Sequence, residues 1–150
     1  METYYKGYRF TKDQSEIHPK EVHRLLEQTY WAKGRPLQVV ARSMKNSLCF
    51  GVFSPDDELV GFARMITDYA VTYYVSDVVI DESHRNKSIG THLIKFMTES
   101  EEVRGLKGVL LTTYAHSFYE KLGFERNAQK CMLRPAGASM HLRQEELPCK

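Results

Sequence analysis

Cysteine is scarce in this chain, and its three residues, Cys49, Cys131 and Cys149, are odd in number and far apart. That argues against a disulfide framework and for buried or incidental thiols in a reducing compartment. Long apolar runs are missing as well. No stretch approaches the length needed to span a bilayer, and Met1-Glu-Thr-Tyr-Tyr-Lys6 offers no apolar core for a secretory signal. A cytoplasmic location is therefore expected, without a membrane partner. Charge of one sign is also lacking. A net charge of +2 with no dense Lys/Arg cluster leaves no electrostatic footprint for nucleic acid. None of the six histidines pairs with another His, Cys or carboxylate at metal-ligand spacing, so no metal is expected.

What is there suits one globular domain with a real core over residues 1–150, since 42% of the residues are hydrophobic and 27% charged. Residues 5–12 alternate aromatic and polar side chains and predict a first, edge strand. Pro19 fits the first turn of a helix whose apolar face is Val22, Leu25, Leu26 and Thr29, running to about Tyr30. Gly34 and Pro36 interrupt the pattern before a second helix with Leu37, Val40, Ala41 and Met44 on one face. Strands over 48–53 and 59–66 flank the turn Ser54–Glu58 as a hairpin. A fourth strand follows over 73–80, a third helix over 88–101 and a fifth strand over 107–113. A fourth helix over 115–122 and a final strand over 131–134 precede a loose tail over 135–150. The fold class is α/β, a mixed sheet with flanking helices in the order β-α-α-β-β-β-α-β-α-β. The strand-helix-strand connection favours parallel pairing of the fourth and fifth strands.

The segment Val75–Met97 organises the chain. It begins as an apolar, β-branched run (Val78, Val79, Ile80), turns through polar residues from Asp81 to Lys87, and continues with Ile89, Leu93, Phe96 and Met97 at helical spacing. A strand, a tight polar loop and a helix N-terminus form an anion site, because the first helical N–H groups lack intrahelical partners. Arg85 and Lys87 add positive charge, while Ser88 and Gly90 leave room for phosphate oxygens.

Arg85-Asn86-Lys87-Ser88-Ile89-Gly90 resembles the pyrophosphate loop of the GCN5-related N-acetyltransferase (GNAT) family, Arg/Gln-x-x-Gly-x-Gly/Ala, with Ser88 in place of the first glycine. About thirty residues downstream, Thr112 through Phe124 is similar to the family's later motif, Asn-x-x-Ala-x-x-x-Tyr-x-x-x-Gly-Phe. Thr112 stands at the Asn position, and Ala115, Tyr119, Gly123 and Phe124 match in spacing. The resemblance covers roughly residues 47 to 134. It implies a GNAT-like sheet whose fourth and fifth strands splay apart around the pantetheine arm of acetyl-CoA, used as a co-substrate. It also implies direct acetyl transfer to a primary amine in a ternary complex. Val78, Val79 and Ile80 would then line the pantetheine arm. Arg85, Asn86, Lys87, Ser88, Ile89, Gly90 and Thr91 would wrap the pyrophosphate, with Thr112 and Ala115 bordering the coenzyme.

In the family the tyrosine at the Tyr119 position commonly protonates the departing thiolate; the alternative is a buried structural tyrosine. Several relatives carry a glutamate early on the fifth strand, but Gly105-Leu-Lys-Gly108 has no acid. Asp77, a carboxylate in an apolar strand, is the expected base, with a structural Asp at a strand irregularity as the alternative and Asp68 as a weaker option. Trp31 and Arg35, at the junction of the first two helices, fit one wall of an acceptor site for an aromatic, carboxylated or phosphorylated amine. The same residues would equally serve as a core cap and a solvated charge. His116, three residues before Tyr119, fits the acceptor pocket or the surface, and Arg64 is similarly open. The expected partner is a small-molecule or peptide amine, with a homodimer left open. Two other readings stand beside this one: acetylation of a protein N-terminus or lysine, and a non-catalytic acyl-CoA sensor.

Overall fold

The computed structural model describes residues 1–137. Six strands pair side by side in chain order: β1 (Glu2–Tyr5), β2 (Tyr8–Thr11), β3 (Leu48–Phe53), β4 (Leu59–Thr67), β5 (Thr72–Ile80) and β6 (Lys107–Leu110). All neighbours are antiparallel except β5 and β6. The parallel pair follows from its connection, since α3 (Ile89–Thr98) must carry the chain back across the sheet. Helices α1 (Pro19–Leu26) and α2 (Leu37–Lys45) cover the other face, and the short α4 (His116–Glu120) follows β6.

Two apolar clusters fix this arrangement. On one face Ile89, Leu93, Ile94 and Met97 of α3 join Phe10, Phe50, Ala63 and Met65. On the other, Val22, Leu25, Leu26, Val40 and Met44 join Cys49, Phe53, Phe62 and Val79. Each fully buried Leu, Ile, Met or Phe contributes about 1.5–3 kcal/mol. Of the stripes read from the sequence, Val22, Leu25, Leu26, Val40, Met44, Ile89, Leu93 and Met97 are buried, while Leu37, Ala41 and Phe96 are half-buried.

An irregularity in β5 positions everything that follows. Arg64 pairs with Ser76 and Phe62 with Val79, so β5 carries one extra residue against β4. The bulge includes Asp77, whose φ is +51°. Before it, Tyr73 and Val75 point to the α3 side; after it, Val79 points to the α1–α2 side. Pairing of β5 with β6 stops at Val75 and Leu110, although β5 runs on to Ile80. The two strands thus splay, and the edge of β5 beyond Val75 is left free of a strand partner.

Several expected boundaries differ. The edge strand over 5–12 is instead the hairpin of β1 and β2, because Lys6 and Gly7 both take positive φ (+49° and +82°), the conformation of a tight two-residue hairpin turn. Helix α1 stops at Leu26; hydrogen-bonded turns then carry the chain through Arg35. The stretch 131–134 forms no strand: Met132 and Leu133 are exposed and no ladder reaches them. The tail expected from Pro135 falls, from residue 138 on, outside the described residues. Among the described residues no helix is long and apolar enough to cross a membrane. Cys49 is buried and Cys131 exposed, both as free thiols.

Candidate active site

The splay opens a cleft of about 1200 Å³. One wall is the free end of β5 with the loop that follows it, and the opposite wall is the end of β6 with α4. Tyr30, Trp31 and Arg35 of the α1–α2 junction also line the cleft. Of the residues expected along the coenzyme, Val78, Val79, Ile80, Arg85, Asn86, Ser88, Ile89, Gly90, Thr91, Thr112 and Ala115 line it. Lys87 does not; its Nζ lies 3.3 Å from the Tyr8 hydroxyl.

The loop that follows β5 turns sharply. After Asp81 a 3₁₀ turn (Glu82–His84) leads to Asn86 and Ser88, which both take left-handed φ (+61° and +62°), and α3 begins at Ile89. Alternating backbone of this kind turns successive N–H groups toward one concavity. A left-handed Ser explains why the resembling motif has glycine there: the conformation costs an L-residue about 1–2 kcal/mol. The loop is held from below by Asp81. Its Oδ1 accepts from the Ser83 N–H and Oγ, and its Oδ2 accepts from Arg24 and Gln28 of the α1 region. Burial pushes this carboxyl up, yet the hydrogen bonds from Ser83, Gln28 and Arg24 outweigh it and hold the group well below the usual carboxylate range. At Gly90 an added Cβ would sit 3.6 Å from the Phe118 ring, in ordinary contact, so bulk beyond a methyl would enter the cleft.

Tyr119 lines the cleft, packed edge-on against Phe118 and Phe124. Its hydroxyl has no hydrogen-bond partner among the described residues, and burial pushes its pKa up to about 12. The turn that presents it is capped by Thr112, whose Oγ1 accepts the Ala115 N–H at 3.0 Å. The Thr at the motif's Asn position thus serves α4.

Asp77 is the one carboxylate among the described lining residues. Its side chain is 2% exposed, and its Oδ2 accepts from both Arg35 Nη1 and Arg64 Nε at 2.7 Å. Burial pushes this carboxyl up, but the hydrogen bonds and charges of the two guanidiniums win and hold it below its ordinary value. Each nitrogen of Arg64 donates, Nη1 to Ser47 and Nη2 to Ser76 besides Nε to Asp77. In Arg35 only Nη1 donates among the described residues, and its backbone carbonyl is fixed by His23 at 3.0 Å. Asp68, the second candidate base, closes the β4–β5 hairpin by accepting three backbone N–H groups and does not line the cleft. His116 does not line it either.

Trp31 does line it, with Tyr30 edge-on at 5.0 Å and Tyr114 edge-on to Tyr30 at 5.7 Å. These three exposed rings form an aromatic rim of the cleft that Arg35 also lines. Tyr114 and His84, both lining residues, were not foreseen; each stands far in sequence from the groups it meets, so no spacing signals it.

The profile of the acetyltransferase (GNAT) domain matches residues 46–126, more than half of the chain. The chain belongs to the GNAT family. Two curated relatives are an uncharacterized N-acetyltransferase (ycf52-like) of Prochlorococcus marinus, 29% identical over 119 residues, and one (ycf52) of Pyropia yezoensis, 31% identical over 112. The alignments cover 74% and 69% of this chain but 66% and 63% of those proteins, so the chain spans just under two thirds of their length. Among solved structures, a protein assigned to the GNAT family from Xanthomonas campestris pv. campestris superposes with a TM-score of 0.79 at 36% identity, covering 85% of this chain and 92% of that one. The mixed sheet splayed between β5 and β6 is thus the GNAT sheet, as the two motifs implied.

Proposed function

We propose that this GNAT protein is an acetyl-CoA-dependent N-acetyltransferase acting on a primary amine, with both substrates bound at once. The observation that carries the reading is the splay itself. One cleft is lined by the loop after β5, by Tyr119 and by Arg35 and Trp31. The free β5 edge offers unpaired peptide groups to an amide-bearing arm, and the left-handed loop and α3 N-terminus offer N–H groups to phosphates. The co-substrate supplies an activated acetyl thioester.

The amine nitrogen attacks the thioester carbonyl, the carbon–sulfur bond breaks, and the leaving thiolate takes a proton. Tyr119 is the donor in this reading. With its pKa near 12 it holds that proton across the physiological range. The same burial that weakens it as an acid raises the proton affinity of a thiolate formed beside it. Asp77, expected from sequence to be the base, is reassigned. Its Oδ2 already accepts from two guanidiniums, which hold the carboxyl below its ordinary value and leave it a poorer base than a free carboxylate. In this reading the amine sheds its proton to water in the open cleft, and Asp77 holds Arg35 in place. The uncommitted donors of Arg35, in a cleft rimmed by three aromatic rings, favour an acceptor that carries a carboxylate or phosphate next to an aromatic or apolar group.

Gly90→Val tests the coenzyme placement. The isopropyl group would occupy the cleft beside Phe118 and Ile80, so acetyl-CoA affinity by calorimetry should fall at least tenfold, about 1.4 kcal/mol. Unchanged affinity in a folded variant would place the coenzyme elsewhere.

A further inference from the structure

We infer that His84 is a phosphate-contacting residue of the cleft and that Tyr8, buried in β2, is the positioning residue that fixes its tautomer. The inference rests on the coenzyme reading above and adds two residues to it. Tyr8 is 6% exposed and reaches across from the N-terminal hairpin, so that its hydroxyl lies 2.9 Å from His84 Nδ1. The rings meet edge-on at 5.7 Å. Lys87 Nζ lies 3.3 Å from the same hydroxyl.

The protons follow from the donor inventory. An ammonium only donates, so the Tyr8 oxygen accepts from Lys87. Its single O–H is the donor we assign to Nδ1, which leaves that nitrogen as the acceptor in neutral imidazole and puts the ring proton on Nε2. Nε2 has no protein partner among the described residues, and His84 is the one imidazole among the described residues lining the cleft. It directly precedes Arg85 at the start of the loop. On a residue that lines the cleft at the start of the loop, a fixed Nε2–H would offer a donor to an anionic oxygen bound there. Without Tyr8 the ring could present either a donor or a lone pair there, and the lone pair would repel phosphate.

The test compares acetyl-CoA with acetyl-pantetheine, which carries the same thioester and ends before the diphosphate. The KM ratio of the two removes general damage to the fold or to catalysis. In His84→Leu the ratio of KM for acetyl-CoA to KM for acetyl-pantetheine should rise about tenfold, as for loss of one hydrogen bond to a charged group. Tyr8→Phe, which keeps the ring packing, should raise it at least threefold. The double variant should be no worse than His84→Leu alone. Nitrogen NMR of the wild type should show His84 protonated on Nε2, and Tyr8→Phe should shift it toward a tautomer mixture. Unchanged ratios in both single variants, with acetyl-CoA still bound by the wild type, would overturn this inference alone; so would a wild-type His84 protonated on Nδ1. A wild type that binds no acetyl-CoA would overturn both it and the coenzyme reading.

Discussion

Tyr119→Phe should lower kcat by about 10²–10⁴-fold, the range of general acid catalysis, while acetyl-CoA affinity stays close to wild type. The ring keeps its edge-on contacts with Phe118 and Phe124, so the core beneath α4 is undisturbed. Only a hydroxyl without a protein partner among the described residues is lost, and its removal leaves no buried group orphaned. Because burial lifts the phenol to about 12, ionisation of Tyr119 should contribute no fall in kcat between pH 7 and pH 10. Steady-state kinetics across that range check both statements. A kcat within about twofold of wild type would make Tyr119 a packing residue.

Asp77→Asn should destabilise the protein by about 3–5 kcal/mol, because it leaves two guanidiniums partly buried without their counter-charge. Arg35 and Arg64 are 24% and 13% exposed, and each donates to the same Asp77 oxygen. The effect should depend on pH in a fixed direction. The folded-state pKa of Asp77 is depressed, so its stabilisation is complete above the unfolded carboxyl value near 3.9. It is lost as pH falls through the lower folded value. Urea midpoints for wild type and variant should therefore differ most from about pH 5 upward and converge in acid. Equal midpoints at neutral pH would mean the ion triad contributes nothing. Kinetics on the folded fraction separate the roles: loss of a base would move the acidic limb of the kcat/KM profile, whereas displaced Arg35 donors should chiefly raise KM for the acceptor.

The core of this site was legible because two periodicities meet there. A β-branched run followed by helical spacing locates β5, its loop and α3, and orphan helical N–H groups make the loop a candidate anion site on physical grounds. The splay was another matter. Nothing in the pattern of 73–80 betrays it; the family resemblance implied it, and the pairing that ends at Val75 and Leu110 shows it. Where the sequence misled, a non-local fact decided. Aromatic and polar residues over 5–12 read as one strand, but the left-handed Lys6 and Gly7 fold the chain back between Tyr5 and Tyr8. The stretch 131–134 has a strand's composition without a ladder to join. For Asp77 the sequence left a base and a structural Asp at a strand irregularity side by side. Its partners stand 42 and 13 residues away, and only the bulge in β5 turns it toward them. The aromatic rim of Tyr30, Trp31 and Tyr114 is invisible in sequence for the same reason, since Tyr114 arrives from the far wall of the cleft.

The most direct measurement is thiol release from acetyl-CoA in the presence of a panel of primary amines, followed with a thiol reagent. The panel should contain simple alkylamines, peptide amines, and amines carrying a carboxylate or phosphate beside an aromatic ring. The account predicts thiol release that requires an amine, yields the N-acetyl product in equal amount, and is fastest for the acidic aromatic members, which match Arg35 and the aromatic rim of the same cleft. Saturable binding of acetyl-CoA with no amine-dependent release from any class would contradict it, and would make the protein a holder of acyl-CoA instead.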